Sequence, residues 1–208
     1  MRAGNGGVIG IKNIEQSGVW TLEDHFLDRN FIRTGISRIV SFGYKHPNLT
    51  QSGLQLYGTA APVGGYTLTM GRLDCEFVGK QYIEILFTNV SVNLTGLSNA
   101  NGGVSKTYYK DGQLYINYGG TGGSNANYGA YFGNGDRIGI SYNPEIGKMR
   151  FWKNGTAQPE IDILAEGSRY PTLKAGTSST IAYNFTFCVS EATMNYLPSG
   201  YFPFDKVK

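Results

Sequence analysis

Gly135-Asp136-Arg137-Ile138-Gly139-Ile140-Ser141-Tyr142 runs, through a turn containing Pro144 and Gly147, into Lys148-Met149-Arg150-Phe151-Trp152-Lys153-Asn154-Gly155. Ile138, Ile140 and Tyr142 fall on one face of an alternating strand, and Met149 and Phe151 can meet them across the hairpin. Asn154-Gly155 closes the second strand with a turn dipeptide. Outward from this hairpin the same grammar repeats. Leu54–Tyr57, Tyr66–Met70 and Leu73–Val78 read as strands. Tyr82-Ile83-Glu84-Ile85-Leu86-Phe87 is largely apolar on both faces, as a central strand is. Thr107–Lys110 and Gln113–Asn117 flank Asp111-Gly112, the signal of a two-residue type I′ hairpin. Ile181, Tyr183, Phe185 and Phe187 alternate without a break and are expected to line the core. About ten strands with turns at short intervals predict an all-β, antiparallel two-sheet sandwich of jelly-roll type.

The bulk composition agrees. The 208 residues suit one sandwich with a small appendage. Aromatic residues make up 13%, enough for a substantial core, while charged residues make up only 16%, below the usual quarter. The 30 glycines favour turns over helices. The net charge of +3 carries no basic run, so nucleic acid is not an expected partner. No apolar stretch approaches the ~20 residues of a membrane helix, so no membrane insertion is expected. Met1-Arg2-Ala3-Gly4-Asn5 opens no hydrophobic signal region, which predicts synthesis in a cytosol. Cys75 and Cys188 sit in strand-like runs and read as free thiols rather than a disulfide.

Residues 1–35 differ from the rest and are expected to form a separate arm, with the sandwich over 36–208. Gly4–Lys12 is extended and Gly-rich. Thr21 with Asp24 forms a capping pattern, and Leu22, Phe26 and Leu27 stripe a helix of about three turns. So short a segment does not bury its own apolar groups. Val8, Ile9, Ile11, Val19, Trp20, Leu22 and Phe26 are therefore the expected assembly interface.

The residues from His46 to Phe204 resemble a SPRY (B30.2-like, concanavalin-like) domain. Pro47–Leu56 is similar to the opening strand region of that family, and Gln81-Tyr82-Ile83-Glu84-Ile85 to its aromatic-x-Glu strand. Gly135–Ile140 resembles its Gly-Asp-x-Ile-Gly step, and Met149–Gly155 its Phe-x-x-Asn-Gly strand end. Tyr170-Pro171, Tyr183-Asn184-Phe185 and Gly200–Phe204 resemble its later segments. The resemblance implies a bent sandwich whose edge loops bind protein segments, with no catalytic residue to carry over. No RING, B-box or coiled coil is read before these residues, so no ubiquitin-ligase or immune-signalling role is expected. Gly6–Gly10, Asn13 and Ser17–Leu22 resemble a short element of tailed-bacteriophage structural and tail-fibre proteins.

The expected function is thus a non-enzymatic phage virion protein, a fibre, decoration or receptor-binding module. Its expected partners are other virion proteins, copies of itself, and a host-surface glycan or protein receptor. No cofactor and no metal are expected. The Gly119–Asn127 stretch reads as a flexible loop, either a recognition site or a plain connection, with Tyr118, Asn125, Asn127 and Tyr128 as its candidate ligand-binding residues. Tyr118 and Tyr128 are expected to be exposed, though strand alternation turns about half of the neighbouring tyrosines inward. The alternative is a lectin-like carbohydrate-binding module using the same residues. A third reading, a sandwich glycoside hydrolase, needs Asp74 and Glu76 on one strand face. His25, between Asp24 and Asp28, reads as part of a polar face. Asn134-Gly135-Asp136 offers oxygens to a calcium ion but reads more simply as a turn.

Overall fold

The computed structural model describes residues 36–60, 68–89, 94–100, 104–118, 123–162, 169–175 and 181–207. The expected helix and the interface residues Val8, Ile9, Ile11, Val19, Trp20, Leu22 and Phe26 lie outside them. The chain divides into two compact units. One comprises Met1–Arg38 with Lys206–Lys208, the other Ile39–Asp205.

In chain order the strands are β1 (Ile36–Ser37), β2 (Phe42–Lys45), β3 (Leu49–Ser52), β4 (Gln55–Ala60), β5 (Leu68–Leu73) and β6 (Gln81–Asn89). Then come β7 (Leu94–Ser98), β8 (Val104–Tyr109), β9 (Gln113–Tyr118), β10 (Gly123–Asn127), β11 (Arg137–Asn143) and β12 (Lys148–Lys153). The last are β13 (Thr156–Asp162), β14 (Tyr170–Ala175), β15 (Ile181–Cys188), β16 (Phe202–Pro203) and β17 (Lys206–Val207). In the smaller unit β1 pairs antiparallel with β17.

Among its described residues the larger unit is an all-β sandwich. Counted over the described residues, one sheet has seven strands, in the order β10-β9-β8-β7-β14-β5-β2. The other has eight, in the order β13-β12-β11-β6-β15-β4-β3, with β16 beside β6. Every pairing among the described residues is antiparallel except β16 with β6. As its apolar run predicts, β6 is central in its sheet. Ile83, Ile85 and Phe87 join the core from β6, Ile138 and Ile140 from β11, Met149 and Phe151 from β12, and Tyr183, Phe185 and Phe187 from β15. Ile140 pairs with Phe151 and Tyr142 with Met149, the register that the opening hairpin predicts.

Three local expectations are corrected. Asp111-Gly112 is not a two-residue type I′ turn. Gly112 has φ +83°, but the one described non-glycine residue with positive φ is Asn154. The Gly112 N–H donates to Tyr109 O at 3.0 Å, so the loop is Lys110–Gly112. The extra residue turns Gly112 O toward the N–H groups of Tyr128 and Gly129, both at 2.9 Å. The Gly119–Asn127 stretch is not all loop, because Gly123–Asn127 pairs with β9 as an edge strand. The strand expected over Leu73–Val78 is instead the end of β5, which stops at Leu73. There Asp74 N–H donates to Ser41 O at 2.9 Å and closes the strand end.

The β13 edge is closed from within. Pro159 lacks a donor, the Tyr128 hydroxyl donates to Pro159 O, and the Lys106 amine donates to Asp162 O. Cys75 and Cys188 are free thiols.

Lys174 on β14 is buried, and burial pushes its amine down to about 8. The unfolded chain keeps the ordinary lysine value. Between the two values only the unfolded state holds the proton, so stability rises with pH across that window. Stability is therefore expected to rise between about pH 8 and pH ~10, and to rise less in Lys174→Met, which has no amine to titrate. Thermal unfolding at the two pH values checks this.

Candidate functional site

The outward face of the eight-stranded sheet carries the first part of the site. Register places Trp152, Gly139, Glu84 and Cys188 in one row across β12, β11, β6 and β15. Glu84 is fully buried there. Its Oε1 accepts from the Tyr82 hydroxyl at 3.2 Å and the Tyr196 N–H at 2.7 Å. Its Oε2 accepts from Arg137 Nη1 at 2.9 Å and the Asn195 N–H at 3.0 Å. Arg137 Nη1 also reaches Thr193 O at 3.0 Å and Cys188 Sγ at 3.4 Å. Residues 190–201 thus cross this face as a strap. Met194, Leu197 and Tyr201 of the strap pack with Tyr82, Leu86, Trp152 and Cys188. The chain then returns as β16 beside Gln81 and Tyr82.

The sequence motif now has a reason at each position. Ile138 and Ile140 fill the core, and Arg137 neutralises Glu84. Gly139 is obligatory because a Cβ there would lie 2.1 Å from the Tyr82 hydroxyl. Gly135 has φ +85°, and Asp136 fastens the turn. The Asp136 carboxylate accepts from Gly133 N–H at 2.8 Å and Asn154 Nδ2 at 2.6 Å, and pairs with Lys153 Nζ at 3.4 Å. Burial opposes its charge. The Gly133 and Asn154 hydrogen bonds and the Lys153 charge outweigh burial and hold the carboxyl below its ordinary value.

The loop 128–136 forms the second part. Phe132 N–H donates to Lys110 O at 2.9 Å, Gly135 N–H to Phe87 O at 2.7 Å, and Ala130 N–H to Gln158 Oε1 at 3.0 Å. The Tyr108 hydroxyl donates to Ala130 O and Lys153 Nζ to Tyr131 O. Phe132 points into the core against Phe87 and Tyr108. The neighbouring Tyr131 is 73% exposed, the most exposed aromatic among the described residues.

The two parts meet at the Asn154-Gly155 turn. Asn154 has φ +47° and Gly155 φ +79°, the paired positive values of a type I′ hairpin. Lys153, before the turn, holds Tyr131 O. Tyr196, 39% exposed, lies against the turn itself. A Cβ on Gly155 would come 2.8 Å from Tyr196 Cδ1. The Tyr131 carbonyl and the Tyr196 ring are therefore both tied to this turn, whose Asn154 is exposed. The two cations are neutralised, Lys153 by Asp136 and Arg137 by Glu84.

Of the residues expected from sequence, Asn127 is exposed at the end of β10. The side chains of Tyr118 and Asn125 lie outside the described residues. Tyr128 is not the exposed ring it was expected to be. Its hydroxyl donates to Pro159 O and accepts the Phe151 N–H at 3.4 Å, and its ring packs on Tyr108 and Phe151. Burial pushes its phenol well above the ordinary value. Asp74 and Glu76 do not share a strand face, since both follow the end of β5. The Asp74 carboxylate accepts from Ser41 N–H at 3.1 Å and from the Ser41 hydroxyl. Asn134-Gly135-Asp136 is a turn whose carboxylate is engaged inside the protein. No group of three or more His, Cys, Asp or Glu among the described residues is placed to hold a metal ion. Sequence reading counted Tyr131 among the tyrosines around the Gly-rich loop but singled out Tyr118 and Tyr128, and it missed Tyr196 and the role of Glu84. The one available signal was Tyr131 beside Phe132, where one aromatic of a pair turns outward.

No family model and no curated protein matches the sequence. Solved structures do resemble the chain. A human SPRY domain is 16% identical, covering 67% of this chain and 94% of that one, at a TM-score of 0.47. The TRIM65 PSpry domain is 12% identical, covering 73% and 92%, at 0.49. Stonustoxin is 10% identical at 0.50, covering 72% of this chain and 28% of that much longer one. Likenesses at this level of identity concern the fold alone.

Asp136→Asn is expected to cost about 1–3 kcal/mol, because it loses the ion pair and turns one acceptor oxygen into a donor. The stability from Asp136 is present above the ordinary carboxylate value and is lost as pH falls through its lowered folded value. Urea unfolding is expected to show the variant's deficit at neutral pH and its disappearance in acid.

Proposed function

We propose that this chain is a non-enzymatic recognition module whose SPRY-like sandwich presents Tyr131 and Tyr196, across the Asn154-Gly155 turn, to a protein segment. We further assign it to a phage virion, as a fibre, decoration or receptor-binding component joined to its neighbours and to other copies through residues 1–35. The observation that carries the recognition reading is an exposed tyrosine on a loop whose backbone is already fixed by hydrogen bonds. Such a ring offers contact area with little conformational entropy left to lose on binding. Neutralised cations beside it favour a neutral partner over nucleic acid or phosphate.

The virion assignment rests on the resemblance of residues 6–22 to a phage structural element and on the charge-poor, Gly-rich composition. The hydrolase reading loses its support, because Ser41 engages the Asp74 carboxylate and the two acids share no strand face. The sugar-binding reading loses Tyr128, whose hydroxyl is committed inside the sandwich.

Peptides selected from a random library on the immobilised full chain are expected to lose at least about tenfold in affinity on Tyr131→Ala, with thermal unfolding unchanged. Equal affinity for the variant would dismiss the surface. Failure to select peptides, with a glycan-array signal lost in the same variant, would move recognition to sugars. Light scattering of the full chain is expected to give an oligomer, and a monomer would refute self-assembly through the arm.

A further inference from the structure

Burying a charge in a packed face is costly, and apolar side chains would fill the space beneath Met194 and Leu197 at less expense. Glu84 is nevertheless there, fully buried, with two donors on each carboxylate oxygen. Two of the four donors are consecutive N–H groups of the strap, at Asn195 and Tyr196. The residue whose N–H makes the shortest of these bonds, 2.7 Å, is the one whose ring lies half in solvent against Gly155. Arg137 makes a second tie to the same stretch through Thr193 O. The Tyr196 backbone is therefore fixed from below by charge, and its ring is fixed from the side by a residue without a Cβ.

We propose that Glu84 is a positioning residue for the recognition surface: by holding the Tyr196 N–H it sets the Tyr196 ring against the Asn154-Gly155 turn, with Arg137 as its counter-ion. This rests on the reading of Tyr131 and Tyr196 as that surface. The ring's placement is measurable without any ligand. An aromatic ring so close to Gly155 shifts the α-proton resonances of that glycine. Tyr196→Ala, which removes the ring and leaves the tie, defines the shift that the ring causes.

The test uses the full-length protein and Glu84→Gln. In NMR spectra the Gly155 α-protons of Glu84→Gln are expected to move most of the way to their positions in Tyr196→Ala. Cys188 supplies the control for local release. It lies under the strap at 4% exposure, and burial pushes its thiol up. Cys75, half-buried just after β5, is the reference. Iodoacetamide labelling under native conditions, followed by peptide mass, is expected to be at least about tenfold faster at Cys188 in Glu84→Gln and within about twofold of wild type at Cys75.

Unmoved Gly155 resonances would overturn the proposal. Equal acceleration at both cysteines would overturn it too, since the glutamate would then serve only global stability. Should Glu84→Gln not fold, Glu84→Asp decides on the same readouts, because the shorter side chain keeps the charge opposite Arg137 but withdraws the carboxylate from the Tyr196 N–H. Library-selected peptides separate this proposal from the reading beneath it. Affinity lost in Tyr131→Ala and Tyr196→Ala but kept in Glu84→Gln sinks the positioning role alone. Affinity kept in all three variants sinks the recognition surface, while the Gly155 shift still judges the tie.

Discussion

A single buried carboxylate organises one whole side of this sandwich. Glu84 sits mid-strand on the central β6, out of water, and survives there only because every lone-pair direction is met. Removing one partner of such a pair typically costs about 3–5 kcal/mol, so its neighbours are tightly constrained. Arg137 must stand on β11 two residues from Gly139, diagonal to Glu84. Tyr82 must lie across β11 to donate its hydroxyl, and this forbids a Cβ at residue 139. The chain after β15 must cross the face at the height where two successive N–H groups reach the carboxylate. Only then does it return as β16 to pair with the start of β6.

The same economy explains why the surface beyond the strap is rigid. Asn154-Gly155 is held by Asp136 and Lys153, and the loop carrying Tyr131 is held by main-chain bonds to Lys110 and Phe87. The core between the sheets joins these ties through the Phe132 ring and the Tyr108 hydroxyl on Ala130 O. Sandwich stability rests on apolar burial, while the shape of the exposed edge rests mainly on a few charged and amide groups. That division lets an edge vary without loss of the fold.

Most of the sandwich was legible in the sequence because strand alternation is a strong signal where one face is fully apolar. The Ile138–Tyr142 and Met149–Phe151 faces, the central β6 and the unbroken alternation of Tyr183–Phe187 all read correctly. Asn154-Gly155 read correctly as a turn, because both residues tolerate positive φ. Asp111-Gly112 misled because Gly112 O serves the distant residues Tyr128 and Gly129, and a tertiary demand of this kind leaves no local mark. Gly123–Asn127 was taken for loop because an edge strand of small polar residues has no apolar face to announce it. Tyr128 was mistaken for a surface ring because composition does not reveal that a hydroxyl will close the edge of the opposite sheet. The strap carried no periodicity at all. It is built from single contacts to a residue more than a hundred positions earlier, which no local pattern encodes.

The most direct measurement is amide hydrogen exchange on the unmodified full-length protein, resolved residue by residue by NMR. If the buried carboxylate holds the strap, the Asn195 and Tyr196 amides exchange as slowly as those of β6, although both residues are exposed and lie outside any sheet ladder. If those two amides exchange as fast as their strap neighbours Glu191 and Ala192, the carboxylate holds nothing, and the edge is ordered by something other than Glu84.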